Sequence, residues 1–508
     1  MAIVIGIDVG TTNWKVAAFT EQGQPLLQHK TPTKTHYMEN GCGYYEPKEL
    51  WETFSELLRK TMADLPGQEI LGISVTSMTE SVVPIDREGN ELFPIIAWFD
   101  GSAKEQAKRI TERFGEDHIF AVTGLDPDPI FSLPKIMWVR DHYPAVYEKA
   151  DKWLQMADYI YYKLCGATVT DYTMACRTLA YDLEKRAWSD ELMGAFDVPK
   201  SVMPDVVASG TYLGGVSAKA AEETGLPKGA KVFAGGHDHP CASITSGSMS
   251  GKKILDSSGT AEAFLLISEK NAPIPKTRQG QRVGLYLDPS RYVLWGGIKA
   301  SGASADWGYQ HLTTMSDWIG TNESVDYGKV LSMVERIPLG SEGAVFIPHL
   351  RGSGAPSWNP VDKGSFIGLT SRHTDVHLMR AIFEALSCQA KIIVEMHQRI
   401  SGMQAESVCV AGGSTKNLFW QQLKADVLGI PVELSPFEDA TVHGAALLAA
   451  IGAGVYGSIE EASSACAKEN RVLYPNQSVS DECRRLYERY CIVNDAVCAL
   501  HRQLDKMN

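Results

Sequence analysis

Two short stretches half a chain apart share one pattern: IVIGIDVGTTNWKVAAF (residues 3–19) and KKILDSSGTAEAFLLI (residues 252–267). In each, an apolar run ends in an Asp, a Gly/Thr turn follows, and a second apolar run returns. An apolar run of this length bounded by turn residues reads as a strand, so each stretch reads as a hairpin. A hairpin repeated half a chain later constrains the fold more than any other feature. It points to a duplicated domain with a cleft between its halves, divided near residue 250 into units 1–250 and 251–508. Around the hairpins, β-like runs alternate with amphipathic segments, an α/β pattern. Gln22-Gly23 marks a further turn before LLQ, so the chain opens as a β-meander. Helices are predicted over Pro47–Leu65, Ala103–Phe114 and Val376–Ile400.

The hairpin turns carry the first chemistry. A tight Gly-Thr-Thr turn presents backbone N–H groups and hydroxyls to anionic oxygens, and Asp8 just before it can hold a metal through water. Ser258-Gly259-Thr260 offers the same donors from the other half. Further on, VCVA leads into Gly412-Gly413-Ser414-Thr415-Lys416-Asn417, with a helix from about Leu418. A strand, a Gly pair and a helix N-terminus let a flat ligand approach the backbone closely. Other phosphate signatures fail. GSMSGKK (247–253) has one spacer too few for a P-loop and no Ser/Thr after its Lys, GAGVYG (452–457) follows a helical run and reads as a helix end, and no HExxH occurs.

AGGHDHPCAS (234–243) sets His237, Asp238 and His239 side by side. Two imidazoles and a carboxylate suit a first-row metal, yet neighbours in an extended chain point to opposite faces. Lys231–Ala234 reads as a buried strand and Pro240 as the first residue of a helix. Asp238 then lies at the carboxyl end of a strand, where ligands gather in α/β folds. From residues alone, a metal site and a catalytic base both stay open.

The 508 residues carry a net charge of −13 with no long basic run, which argues against a nucleic-acid partner. The N-terminus has no basic leader, and Asp8 interrupts its apolar run, so it reads as neither signal peptide nor membrane span. Ten scattered cysteines without a CxxC pair read as buried, reduced thiols of a cytoplasmic protein.

Taken in order, the motifs resemble the FGGY family of carbohydrate kinases, in the actin/hexokinase/Hsp70 superfamily. They are IGIDVGTTNWK, GYYEP, GISVTSMTESVVPIDREGNELFPIIAWFD, VTDYTMACRTLAYD, AGGHDHP, LDSSGTAEAF, SGASADW, GAPSWNPVDKGSFIGL, VAGGSTKNLFWQQLKADVLGIPV and HGAALLA. The resemblance implies two α/β domains of ribonuclease H type (an actin-like ATPase fold) flanking a deep cleft, with sugar at its floor and Mg-ATP nearer its mouth. It implies that Asp238 takes the proton of the attacking sugar hydroxyl, with His239 touching a sugar hydroxyl and His237 a neighbour. Asp8 would support Mg2+ through its water shell, with Asp238 sharing that duty. Thr11, Thr12, Asn13 and Lys15 would approach the β/γ-phosphates, and Gly259 with Thr260 would hold them from the other domain. Gly302, Gly412, Gly413, Ser414 and Asn417 would border the adenosine. Glu80, Trp98 and Asp100 would meet the sugar, the indole stacking on its apolar face. For three of these a plainer reading stands beside the functional one: a strand cover for Lys15, an exposed loop carboxylate for Glu80, core packing for Trp98.

Departures narrow the acceptor. Glu80 falls where xylulokinase-like members carry a sugar-contacting His, Gly101-Ser102 stands where the family usually has an Arg, and Thr76-Ser77-Met78-Thr79 lacks the xylulokinase pattern. LRGSGAPSWNP replaces the commoner Gly-Glu-Arg, and GHDHPCAS looks closer to the L-fuculokinase branch. The expected activity is transfer of the γ-phosphate of ATP to a hydroxyl of a small sugar, a pentulose or deoxyketohexose. A polyol kinase, a nucleotide-switching ATPase of the superfamily and a His-Asp-His metal hydrolase are the alternatives. Some family members dimerise, which leaves a homodimer open.

Overall fold

The computed structural model describes residues 2–312 and 327–507. Two mixed sheets carry the molecule, and each is built around one of the two hairpins. The first has six strands in the order Tyr212–Gly215, Lys231–His237, Glu69–Ser77, Ala2–Val9, Asn13–Thr20, Pro25–Pro32. The second has seven: Arg282–Leu285, Tyr292–Ile298, Glu262–Ile267, Lys253–Ser258, Ser407–Ala411, Val432–Leu434, Arg471–Leu473.

Counted from the first strand of each hairpin, the two sheets repeat. Ala2–Val9 and Lys253–Ser258 each pair antiparallel with the hairpin partner, which pairs antiparallel with one more strand. On the other side of each lie two parallel strands and then an antiparallel one. Parallel neighbours need covered faces, and most of their residues are accordingly buried. The predicted helices form as Pro47–Asp64, Lys104–Phe114 and Asp375–Ser401. Their stops follow local chemistry, since Gly115 and Gly402 adopt positive φ where any other residue would be strained.

The two sheets are joined by a helix that crosses over. Ala440–Gly452 comes late in the chain, yet it packs on the first sheet's strands Ala2–Val9, Glu69–Ser77 and Lys231–His237 and on helix Asp238–Ser246. Two glycines permit the approach. A Cβ on Gly6 would lie 2.2 Å from the Val442 carbonyl oxygen, and one on Gly444 would lie 2.0 Å from that of Cys241. GAGVYG lies at the end of this helix, as its sequence suggested. A smaller five-stranded sheet, His36–Tyr37, Gly43–Tyr45, Ile95–Ile96, Val82–Ile85 and Lys152–Gln155, supports the loops that carry Glu80 and Trp98. All ten cysteines are free, and no helix among the described residues is long and apolar enough to cross a membrane.

Candidate active site

Strand Lys231–His237 ends at the cleft, and helix Asp238–Ser246 begins at the next residue. Asp238 is therefore the first helical residue, where the N-terminal partial charge favours an anion. Pro240 is the third helical residue rather than the first. Thr173 fixes the junction: its Oγ1 accepts the His237 backbone N–H at 2.8 Å and donates to Asp171 Oδ1 at 2.5 Å.

The expectation that His237 and His239 turn away from Asp238 is corrected. The chain changes from strand to helix between them, so the alternation of an extended chain does not apply. His237 Nε2 lies 3.1 Å and His239 Nε2 3.7 Å from Asp238 Oδ1, which also accepts the His239 backbone N–H at 2.6 Å. One potential ligand atom from each of the three residues falls within 4.8 Å of the others. Asp238 Oδ1 thus takes every hydrogen bond this carboxylate receives from described residues, and Oδ2 takes none. Burial pushes the Asp238 pKa up, but the adjacent His239 and His237 outweigh it and hold the carboxyl well below the usual range. Asp238 is ionised at every working pH. Both imidazoles lean on Trp295 of the second sheet, with His237 stacked at 4.8 Å and His239 edge-on at 6.0 Å. His239 Nδ1 also reaches Ser257 Oγ of the second hairpin at 2.9 Å, so the cluster spans both halves.

In the first hairpin, Asp8 is buried, and Thr441 Oγ1 donates to its Oδ2 at 2.8 Å. Lys15 lies 3.4 Å from the same oxygen and 2.6 Å from Asp439 Oδ1. Lys15 is thus committed to two carboxylates rather than covering a strand. Asp8 Oδ1 is buried with no partner. Burial raises the Asp8 pKa, Lys15 opposes that, and the negative charge of Asp238 adds to it. Thr11 and Thr12 are exposed at the turn and Asn13 is half-buried.

In the second hairpin, Gly259 and Thr260 are exposed. Gly302 and Gly412 serve this turn through their missing side chains. A Cβ on Gly302 would sit 2.4 Å from the Gly259 carbonyl oxygen, and one on Gly412 would sit 2.4 Å from that of Ser258. Gly413 is open to solvent, Ser414 Oγ is buried without a partner, and Asn417 Oδ1 caps helix Leu418–Leu428 through Trp420 N–H at 3.0 Å.

The sugar-side residues differ most from expectation. Glu80 is no exposed loop carboxylate: it is buried, has φ +67, and pairs with Arg177 through Nε at 2.8 Å and Nη2 at 2.6 Å. Thr79 Oγ1 donates to its other oxygen at 2.5 Å. Asp100 is buried, and its two oxygens accept backbone N–H groups of Gly43 and Ser102, each at 2.9 Å. Trp98 is half-buried against the core of the first half, with its indole N–H unpartnered. Lys135, which the sequence did not single out, binds these loops together by donating to the carbonyls of Glu80, Ala97 and Trp98. Burial pulls its pKa down to about 8 against the attraction of Glu80 and Asp100. Arg177 was missed as well, though it stands inside VTDYTMACRTLAYD. Its place as the one basic residue of that stretch was the available signal.

Known proteins agree with this architecture. The model of the FGGY carbohydrate kinase N-terminal domain matches residues 3–245, and that of the C-terminal domain matches residues 256–453. A xylulose kinase of Bacillus subtilis is 30% identical, with 96% of each chain covered, and one of Staphylococcus epidermidis is 29% identical over 99% of this chain and 97% of its own. A glycerol kinase of Saccharolobus islandicus is 28% identical over 95% of this chain and 94% of its own. Among solved structures, a gluconate kinase and a ligand-bound xylulose kinase, both from Lactobacillus acidophilus, superpose with TM-scores of 0.91 at 23% identity. Each covers 99% of this chain, and 99% and 100% of their own chains are covered in turn. With both family models matched in order across most of its length, the chain belongs to the FGGY family of carbohydrate kinases and is an ATP-dependent sugar kinase.

Proposed function

We propose that the protein transfers the γ-phosphate of Mg-ATP to a hydroxyl of a small sugar of the ketose class, with Asp238 as the base. The observation that carries this reading is the state of Asp238. It is ionised, its Oδ1 is occupied by its neighbours, and its Oδ2 is left to accept a hydroxyl proton. Phosphoryl transfer asks little of a base beyond accepting a proton late, while positioning and charge neutralisation lower most of the barrier.

Asp8 fits a metal site, because a buried carboxylate oxygen without a partner is costly unless a cation or water shell meets it. Mg2+ bound there would neutralise the β/γ-phosphates. Thr11, Thr12, Asn13 and Lys15 would then face those phosphates from one half and Gly259 with Thr260 from the other. Gly302, Gly412, Gly413, Ser414 and Asn417 would frame the adenosine, with Asn417 offering its amide nitrogen, since its carbonyl oxygen caps a helix. Glu80, Trp98, Asp100 and His239 would form the sugar end, Glu80 acting together with Arg177. We place the division between the two units near residue 250, between the two sheets, and the activity in the cytoplasm, consistent with ten free thiols. Both walls of the cleft come from one chain, so a homodimer is not needed to complete it. The xylulose kinase relatives support the ketose class and the glycerol kinases a polyol.

The test is sugar-stimulated ADP release with Mg-ATP over a panel of ketoses, aldoses and polyols. Asp238→Ala is expected to lower turnover about 10²–10⁴-fold while nucleotide binding persists. Near-normal turnover in the variant would remove Asp238 as base. Release of ADP that no sugar stimulates would favour the nucleotide-switching alternative.

A further inference from the structure

A buried cation stands behind the sugar-side loops and spends itself on backbone rather than on a carboxylate. Lys135, on helix Ser132–His142, is 1% exposed, and its ammonium donates to the carbonyls of Glu80 at 3.2 Å, Ala97 at 2.8 Å and Trp98 at 3.1 Å. An ammonium has three donors and no acceptor, so these bonds use all of it.

The two loops it joins face each other by register. Strands Val82–Ile85 and Ile95–Ile96 pair antiparallel with Val82 opposite Ile96. Continued by two residues, that pairing would set Glu80 opposite Trp98. The strands stop short of it, and Lys135 gathers the carbonyls of both sides instead. Glu80 also holds φ +67, a backbone state that a residue other than glycine keeps only where its surroundings fix it. Gln155 Oε1 accepts the Glu80 N–H at 3.1 Å and Lys135 meets its carbonyl, so buried side chains hold both backbone groups. The Ala97 carbonyl that takes Lys135 also accepts the Asp100 N–H at 3.1 Å. Glu80, Trp98 and Asp100 therefore share one fastening. Its helix is tied in turn to the segment that carries Arg177, through the Leu133 N–H and the Thr178 carbonyl at 2.9 Å.

We propose that Lys135 is a positioning residue for the acceptor: it sets the spacing of Glu80 against Trp98 and Asp100, and use of the sugar depends on it while nucleotide binding does not. This rests on those three residues forming the sugar end. Lys135 does this in its charged form. Deprotonated, the amine keeps two N–H groups and turns a lone pair toward a carbonyl oxygen, so one bond is lost to a repulsion. Burial pulls its pKa down to about 8, against Glu80, Asp100, Asp128 and Cys42, with Glu80 itself paired to Arg177. The spacing loosens as pH rises through that value.

The test measures kcat and KM for Mg-ATP and for D-xylulose and glycerol as acceptors, from about pH 6 to 10, in the wild type, Lys135→Met, Lys135→Arg and Trp98→Ala. Lys135→Met is expected to lower acceptor kcat/KM about 10- to 100-fold, mostly through KM, with KM for ATP within about twofold. Wild-type acceptor kcat/KM should fall as pH rises through about 8, and Lys135→Arg, whose guanidinium stays charged, should lose that alkaline limb. An acceptor KM unchanged in Lys135→Met, or a KM for ATP that rises as much, overturns the proposal. Should Trp98→Ala then raise the acceptor KM, only the role of Lys135 falls; should it leave that KM unchanged as well, the sugar-end reading falls with it. If Lys135→Met fails to fold, the profiles decide. An alkaline limb that Lys135→Arg abolishes supports the proposal, and a limb that survives the substitution, or no limb at all, overturns it.

Discussion

The two hairpins share a topology and the Asp-to-Thr pattern, yet they treat their aspartates in opposite ways. Asp8 is buried with one oxygen bonded to Thr441 and the other unpartnered, and its nearest cation, Lys15, is 3.4 Å away and shared with Asp439. Asp256, at the matching place, also keeps one buried oxygen, Oδ1, without a partner, but its Oδ2 is closed by a fully buried ammonium. The Lys424 ammonium, fully buried, hydrogen-bonds Asp256 Oδ2 and also Glu262 Oε1 at 2.5 Å, and Ser301 Oγ donates to the other Glu262 oxygen at 2.8 Å. Burial and the adjacent Glu262 drive the Asp256 pKa well up, and the Lys424 ammonium opposes that rise. One fold element, used twice, thus supplies an open carboxylate to the cleft in one half and a structural brace in the other. Topology alone does not make a site, because what closes or opens the carboxylate arrives from elsewhere in the chain.

If the brace is structural, Lys424→Met should give the largest effect. Removing the ammonium leaves two buried acids without a counter-charge, a loss of about 3–5 kcal/mol read by chemical denaturation. A change near zero would show that the second half does not depend on it. A smaller effect sharpens the other side of the comparison. Burial already raises Asp8, and Lys15 restrains that rise. Turnover should be lost as pH falls through the Asp8 pKa, and Lys15→Met, by removing the restraint, should move the acid limb of the kcat/KM profile upward by about one to two pH units. An acid limb that stays in place would mean that Asp8 does not govern it.

Much of this was legible in the sequence, for a local reason. Hairpin turns, helix stops at Gly115 and Gly402 and the strand leading to Asp238 are decided by neighbours within a few residues. Partners that come from far along the chain were not legible. Thr441 reaches Asp8 across 433 positions, Lys424 reaches Asp256 across 168, and Arg177 reaches Glu80 across 97. Nothing in the pattern around Glu80 distinguishes a solvated loop carboxylate from a buried one until Arg177 and Lys135 fold against it. The His-Asp-His orientation failed for a different reason. The strand's period of two gives way to the helix's 3.6 within the motif, and Pro240 signalled a helix start without fixing its first residue.

If Asp8 carries chemistry and Asp256 braces the fold, the two positions answer differently to the loss of a carboxylate. Asp8→Asn and Asp256→Asn, assayed side by side for sugar-stimulated turnover, test it directly. Asn at 8 removes the negative charge that faces the phosphates and should cost about 10²-fold or more in kcat without loss of fold. Asn at 256 keeps the size of the side chain and an oxygen that can accept from Lys424, and should leave kcat within about threefold. Equal losses, or a larger loss at 256, would contradict the account.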